Sequence, residues 1–204
     1  MGAKRVMIVM DKLLELFRVF PEFESERLKF RDIKQEDVDD LFEIYKNDAT
    51  LKYQVITPFK SVAEMKRYVE IIRDGYQNRY FIRWGLEHIE TGKLIGLISL
   101  HHLEFWNYKA EIGYICNEAF WNQGLITEAV EKLLDISLNK WGLHRIEAAI
   151  HPGNAPSLRV VEKLGFFKEG YRHEAAFDRE NNCYQDRLMY AILSKSSSTC
   201  TPPD

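Results

Sequence analysis

Trp121-Asn122-Gln123-Gly124-Leu125-Ile126-Thr127-Glu128-Ala129 decides how this chain is read. It opens as a polar turn with one glycine. It runs directly into a segment whose apolar residues Ala129, Val130, Leu133, Leu134, Leu138 and Trp141 recur at helical spacing, ended by Gly142. Just before it, Ala110-Glu111-Ile112-Gly113-Tyr114-Ile115-Cys116 has strand character. A strand, a tight turn and a helix start, in that order, aim unpaired backbone N–H groups at one point. The helix dipole adds to their attraction for an anion. The turn is therefore expected to hold phosphate.

Further elements follow on both sides. Upstream, Arg27 to Ile33 alternates as a strand, and Asp32 to Lys46 reads as a helix with Val38, Leu41, Phe42 and Tyr45 on one face. Ser61 to Tyr76 reads as a second helix, with Ser61 as N-cap and Glu64 completing a capping box. Strands are expected over Arg79 to His88, Lys93 to Leu103 and Tyr108 to Cys116, with turns at Thr91-Gly92 and near Trp106-Asn107. Downstream lie a strand over Leu143 to Ile150 and a short helix over Pro156 to Leu164. Strands over Phe166 to His173 and Cys183 to Leu193 follow, joined at Asn181-Asn182. The predicted class is α+β, a mixed, mostly antiparallel sheet of about seven strands with flanking helices.

Bulk properties bound the rest. The 204 residues fit a single domain, with 46% hydrophobic and 13% aromatic content enough for a real core. Its expected core is about 20–193, with 1–19 as an N-terminal extension and 194–204 as a disordered tail. A net charge of -3 with no basic stripe argues against nucleic acid, and no apolar run is long enough to span a bilayer. The first ten residues lack the length and cleavage site of a secretory signal. Cys116, Cys183 and Cys200 are odd in number and widely spaced, which suits reduced thiols in a cytoplasmic protein.

Taken together, Glu26-Arg27-Leu28, Gly92-Lys93-Leu94-Ile95-Gly96, Glu111-Ile112-Gly113-Tyr114, the turn at Gly124, Asn154-Ala155-Pro156-Ser157 and Glu162-Lys163-Leu164-Gly165-Phe166 stand in a telling order. In that order and spacing the chain resembles the GNAT acetyltransferase superfamily. Within it, the resemblance is to the Rim-type ribosomal-protein alanine N-acetyltransferase branch. It departs from the usual pyrophosphate turn, Arg/Gln-x-x-Gly-x-Gly/Ala, by carrying Trp121 first and Ile126 last, with Asn122 where the branch often has glycine. Val161 stands where many relatives have a tyrosine acid.

The resemblance implies a GNAT fold whose splayed strand pair holds acetyl-CoA as cosubstrate, and direct acetyl transfer to an amine. It implies cofactor contacts from Tyr114, Ile115 and Cys116 on one strand, from the amides of Gln123, Gly124, Leu125, Ile126 and Thr127 in the turn, and from Asn154 and Ser157. Glu111 is the candidate base, acting directly or through water, and Ser157 the candidate proton donor to the leaving thiolate. Tyr53, Trp84, His101 and Tyr171 are the candidate acceptor-binding residues. The implied acceptor is a protein N-terminal α-amine. Such an amine titrates near ~8 and is neutral about one time in ten at pH 7, whereas a polyamine nitrogen near ~10.4 is neutral about once in a few thousand. Polyamine and aminoglycoside-type amines remain as alternatives, as does a non-catalytic acyl-CoA-binding module.

Other readings of the same residues stay open. Asn154 could cap its helix as well as touch the cofactor. Glu111 could be paired with a nearby cation. Cys116 could be an acyl carrier, though a buried inert thiol fits a strand better. His101-His102 makes a poor chelate if neighbours on a strand face opposite ways, so no metal is expected. The oligomeric state stays open, with a homodimer as the first expectation.

Overall fold

The computed structural model describes residues 12–195. Cys200 and nearly all of the expected tail lie outside that range. Eight strands form one sheet in the order β1-β2-β3-β4-β5-β6-β8-β7. They are β1 (Phe23–Glu24), β2 (Leu28–Arg31), β3 (Phe81–His88), β4 (Leu94–Glu104), β5 (Lys109–Cys116), β6 (Arg145–Ile150), β7 (Phe167–Asp178) and β8 (Cys183–Leu193). Seven of these match the expected strands. The eighth, β1, is two residues long and too short to show periodicity.

Helices α1 (Val38–Tyr45), α2 (Asp48–Leu51) and α3 (Val62–Gln77) lie between β2 and β3. The expected helix from Asp32 starts late because Arg31 grips Asp37 at 2.7 Å and Lys34 N–H donates to the same carboxylate at 2.8 Å, holding the intervening residues in a tight 3-10 turn. Ser61 caps α3, its Oγ accepting from Glu64 N at 3.3 Å. Glu64 reaches back to Lys60 N–H rather than to Ser61, so the reciprocal half of the capping box sits one residue early.

Two apolar clusters build the core. Leu41, Ile44, Met65, Val69 and Ile72 of α1 and α3 pack with Leu94, Leu97 and Ile115. The larger cluster joins Phe30, Trp84, Ile98 and Ile112 to Leu125, Ala129, Val130 and Leu133 of α4 (Leu125–Leu134) and Val161 of α5 (Ala155–Lys163). Leu13 and Leu16 belong to it too, at 1% and 9% exposure. The segment expected as an extension is thus, from residue 12 on, part of the core. Past α4 the helix widens into a π-turn over Asp135–Lys140 before Gly142 ends it in the left-handed region, φ 83.

Two strand features shape the site. β5 and β6 are parallel, and their pairing covers only Lys109, Ala110 and Glu111 against Arg145, Ile146 and Glu147. From Ile112 on, β5 stays with β4 while β6 stays with β8, so the sheet opens into a V. Gly96 is required on the intact side: a Cβ there would lie 2.5 Å from the carbonyl oxygen of Ile115. Among the described residues no helix is long and apolar enough to cross a membrane.

Candidate active site

The turn between β5 and α4 is built as the motif requires. Asn122 and Gly124 both take left-handed backbone, φ 59 and 77. Glycine and asparagine are the residues that adopt it at least cost, which explains why Asn122 substitutes for glycine. Trp121 does not crowd the turn, because its indole N–H donates to Cys116 O at 2.9 Å and folds the ring back onto the end of β5. Among the described residues, none of the backbone N–H groups from Gln123 to Thr127 donates to a protein acceptor, and the first helical bond is Glu128 N–H to Gly124 O. Five amides therefore stand free at a helix start, the arrangement that binds a diphosphate.

Arg27 braces this turn. Glu128 accepts from Ser25 Oγ at 2.8 Å, from Arg27 N–H at 2.8 Å and from Arg27 Nε at 2.7 Å, and Arg27 Nη1 donates to Gln123 O at 3.0 Å. The start of β2 and the phosphate turn are thereby locked together. Burial pushes the Glu128 carboxyl up, but these donors outweigh it and hold the group below its ordinary range. Arg27 stood among the motif residues without a role, and only the fold shows what it does.

A groove of about 780 Å3 runs from this turn along the open side of β5. Its wall carries Tyr114, Ile115, Cys116, Gly124, Leu125, Ile126, Thr127, Asn154 and Ser157, so nine of the ten expected cofactor positions, all but Gln123, converge on one channel. Gln123 contributes its main chain at the turn and spends its side-chain amide on Ala119 O at 3.2 Å. Lys52, Arg159 and Lys163 also line the groove, cations suited to further phosphate. Asn154 caps α5, its side chain accepting from Ser157 N–H at 3.2 Å, and it also lines the groove.

A second cavity of about 370 Å3 adjoins the first, and the two share Tyr53, Gln54, Tyr114, Asn154 and Ser157. The shared residues form the junction between groove and cavity. Among the described residues the Ser157 hydroxyl has no protein partner, while Tyr114 Oη donates to Ser157 O at 3.4 Å and burial pushes its phenol up to about 12. Cys116 lines the groove with its thiol pushed up to about 12 by burial, which disfavours an acyl-carrier role.

Glu111 faces the cavity from the point where β5 and β6 part. Burial pushes its carboxyl up, but contacts with His101 Nε2 at 3.4 Å and His102 Nδ1 at 3.1 Å prevail and hold it at about 2. Both histidines reach one carboxylate because β4 is irregular after His101 and His102 is left-handed, φ 48. Strict alternation, the reason for expecting them on opposite faces, fails at this bulge. Their donor atoms and the Glu111 oxygens lie within 4.8 Å of one another, a set of ligand atoms compact enough for a divalent cation.

Two expected acceptor residues lie elsewhere. Trp84 is 0% exposed, on the face of β3 packed toward α4, where its ring stacks on Trp141 and its N–H donates to Pro21 O at 2.6 Å. It is core, and an aromatic on a strand offers no sequence cue to which face is buried. Tyr171 points away from the cavity and donates to Asp186 Oδ2 at 2.5 Å. Tyr53 and His101 do line the cavity, with the Tyr53 ring tilted against that of His151 at 5.2 Å between centroids. His151, Arg172 and Arg187 complete the lining and carried no motif that could have marked them.

Comparison with known proteins agrees with this geometry. The Acetyltransferase (GNAT) domain description matches residues 27–167. The chain is 31% identical over 175 residues to an uncharacterized N-acetyltransferase, YoaA of Bacillus subtilis (strain 168), covering 86% of this chain and 98% of the relative. It is 28% identical to the ribosomal-protein-serine acetyltransferase of Escherichia coli (strain K12), covering 84% and 96%. Its fold superposes with a TM-score of 0.76, at 23% identity, on the structure of RimL, a ribosomal α-N-protein acetyltransferase in complex with coenzyme A, covering 87% of this chain and 100% of that one. The chain belongs to the GNAT family of acetyltransferases and is an N-acetyltransferase that uses acetyl-CoA.

Proposed function

We propose that the acceptor is the α-amine of a protein N-terminus, which attacks the acetyl thioester directly. The observation that carries this reading is Glu111, a carboxylate held at about 2 at the mouth of the strand gap. So weak a base contributes little to stripping a proton from a polyamine nitrogen near ~10.4, but an α-amine near ~8 is already neutral in part and needs only orientation. Glu111 then receives the incoming amine by charge and hydrogen bond, with the proton leaving to water. Half of the β5 amides beyond Glu111 face the gap rather than β4, where one can hold the developing oxyanion. The unpartnered Ser157 hydroxyl donates to the departing thiolate. The cavity's remaining charges, Arg172 and Arg187, disfavour a polycation such as spermidine.

The test is thiol release from acetyl-CoA with Ala- and Ser-initiated peptides, spermidine and an aminoglycoside, compared as kcat/KM. Peptides ahead of both small-amine classes is the expected result. Spermidine or the aminoglycoside ahead of every peptide would overturn the reading.

A further inference from the structure

Arg172 of β7 and Arg187 of β8 stand directly opposite one another in the antiparallel register, and both line the acceptor cavity. Like charges directly opposite on neighbouring strands destabilise a sheet, so the pair calls for a compensating anion. Among the described residues neither arginine makes a salt bridge. The carboxylate of Asp186, next to Arg187, is turned to the other face, where it accepts from Tyr171 Oη and from Glu174 N–H at 2.8 Å.

Arg187 is 9% exposed yet only partly satisfied. Its Nη1 donates to Gln185 Oε1 at 3.1 Å and to Asp186 O at 2.8 Å. Gln185 is fixed in turn by its amide donating to Asp178 Oδ2 at 2.7 Å. One edge of the guanidinium is therefore anchored, while among the described residues Nε and Nη2 have no acceptor. Neither nitrogen is sealed from solvent, and Arg187 lines the cavity. Arg172 makes no side-chain hydrogen bond at all among the described residues. Burial lowers the Arg187 pKa, with Glu111, Asp178 and Asp186 acting on it only through space. A fixed fork with two free donor nitrogens, lining the same cavity as a second arginine without an ion pair among the described residues, is a geometry that takes a carboxylate.

We infer that Arg172 and Arg187 form a carboxylate subsite in the acceptor cavity, so that the enzyme selects protein N-termini with an acidic side chain at the second or third residue. This rests on the reading of the acceptor as a protein N-terminus. Glu111 and the arginine pair line the same cavity of about 370 Å3, into which the first residues of an extended peptide, at roughly 3.3 Å per residue, can reach.

The test compares two peptide pairs by thiol release: Ala-Glu against Ala-Gln at the second residue, and Glu against Gln at the third. In the wild-type enzyme the Glu peptide of at least one pair should be favoured by roughly tenfold or more in kcat/KM, mostly through KM, and the preference should shrink with added salt. Arg172→Gln and Arg187→Gln should each bring the Glu-to-Gln ratio toward one. Arg172 is exposed, so its variant tests the subsite even if Arg187→Gln fails to fold. Equal turnover of Glu and Gln peptides in both pairs, or a preserved ratio in Arg172→Gln, overturns the subsite while leaving the N-terminal reading intact. Turnover of small amines with none of any peptide overturns both.

Discussion

Arg27 Nε lies 2.7 Å from Glu128 Oε2, joining the start of the second strand to the first turn of the helix that carries the phosphate loop. The contact spans about a hundred residues of sequence and fixes the loop from outside. Arg27→Gln or Glu128→Gln should therefore weaken coenzyme A binding about three- to tenfold, measured by calorimetry, while costing about 1 kcal/mol of stability. Glu128 is depressed in the fold, so its contribution is present above the ordinary carboxylate range and fades as pH falls through it. Affinity unchanged in both variants would show the brace to be irrelevant to the loop.

Gly124 and Gly96 should separate binding from stability. At Gly124 a Cβ meets nothing closer than Arg27 Nη2 at 3.7 Å, so Gly124→Ala suffers only the left-handed backbone, about 1–2 kcal/mol. Its effect should fall on coenzyme A affinity as the loop shifts. At Gly96 the new methyl would press on the Ile115 carbonyl at 2.5 Å and part β4 from β5. Gly96→Ala should lower Tm by several degrees more than Gly124→Ala, and the reverse order would contradict the account.

Glu111 carries a pH signature. Its folded pKa of about 2 lies below the ordinary carboxyl value, so the stability it confers is complete above about 4.5 and is lost as pH falls toward 2. Glu111→Gln should be less stable than wild type at pH 6 by at most about 3 kcal/mol, with the difference closing near pH 2. Loss of kcat/KM should be about tenfold rather than thousands, because so weak a base orients more than it deprotonates. A gap in stability that widens on acidification would refute the sign.

Cys116, 6% exposed with its thiol pushed up to about 12, should resist iodoacetamide at pH 7.5. Cys183 is exposed and should be alkylated well before Cys116. Mass spectrometry that finds activity lost in step with a Cys116 adduct would revive a covalent acyl-enzyme.

Much of this was legible in the chain. The glycine turn, its preceding strand and the helix after it came from local signals, and the GNAT resemblance placed the cofactor residues on one channel. Asn154 and Ser157 fell where the motif put them. What was hidden depended on partners distant in sequence or on which side of a strand a residue faces. Trp84 and Tyr171 look alike as strand aromatics, yet one packs on Trp141 and the other meets Asp186. His101 and His102 meet one carboxylate only because the strand bulges between His101 and Glu104. Arg172 and Arg187 face each other across a hairpin whose register shifts by extra residues between Arg172 and Ala176, which no periodicity announces.

The central claim is that the free amides of Gln123 to Thr127 grip the diphosphate of coenzyme A. An amide-resolved NMR titration tests it most directly, run with coenzyme A and with pantetheine, which lacks the diphosphate. The account predicts large shifts of the Gly124 to Thr127 N–H resonances with coenzyme A alone, and pantetheine binding weaker by about two orders of magnitude. Saturation by coenzyme A with those resonances unmoved, or equal affinity for pantetheine, would contradict it.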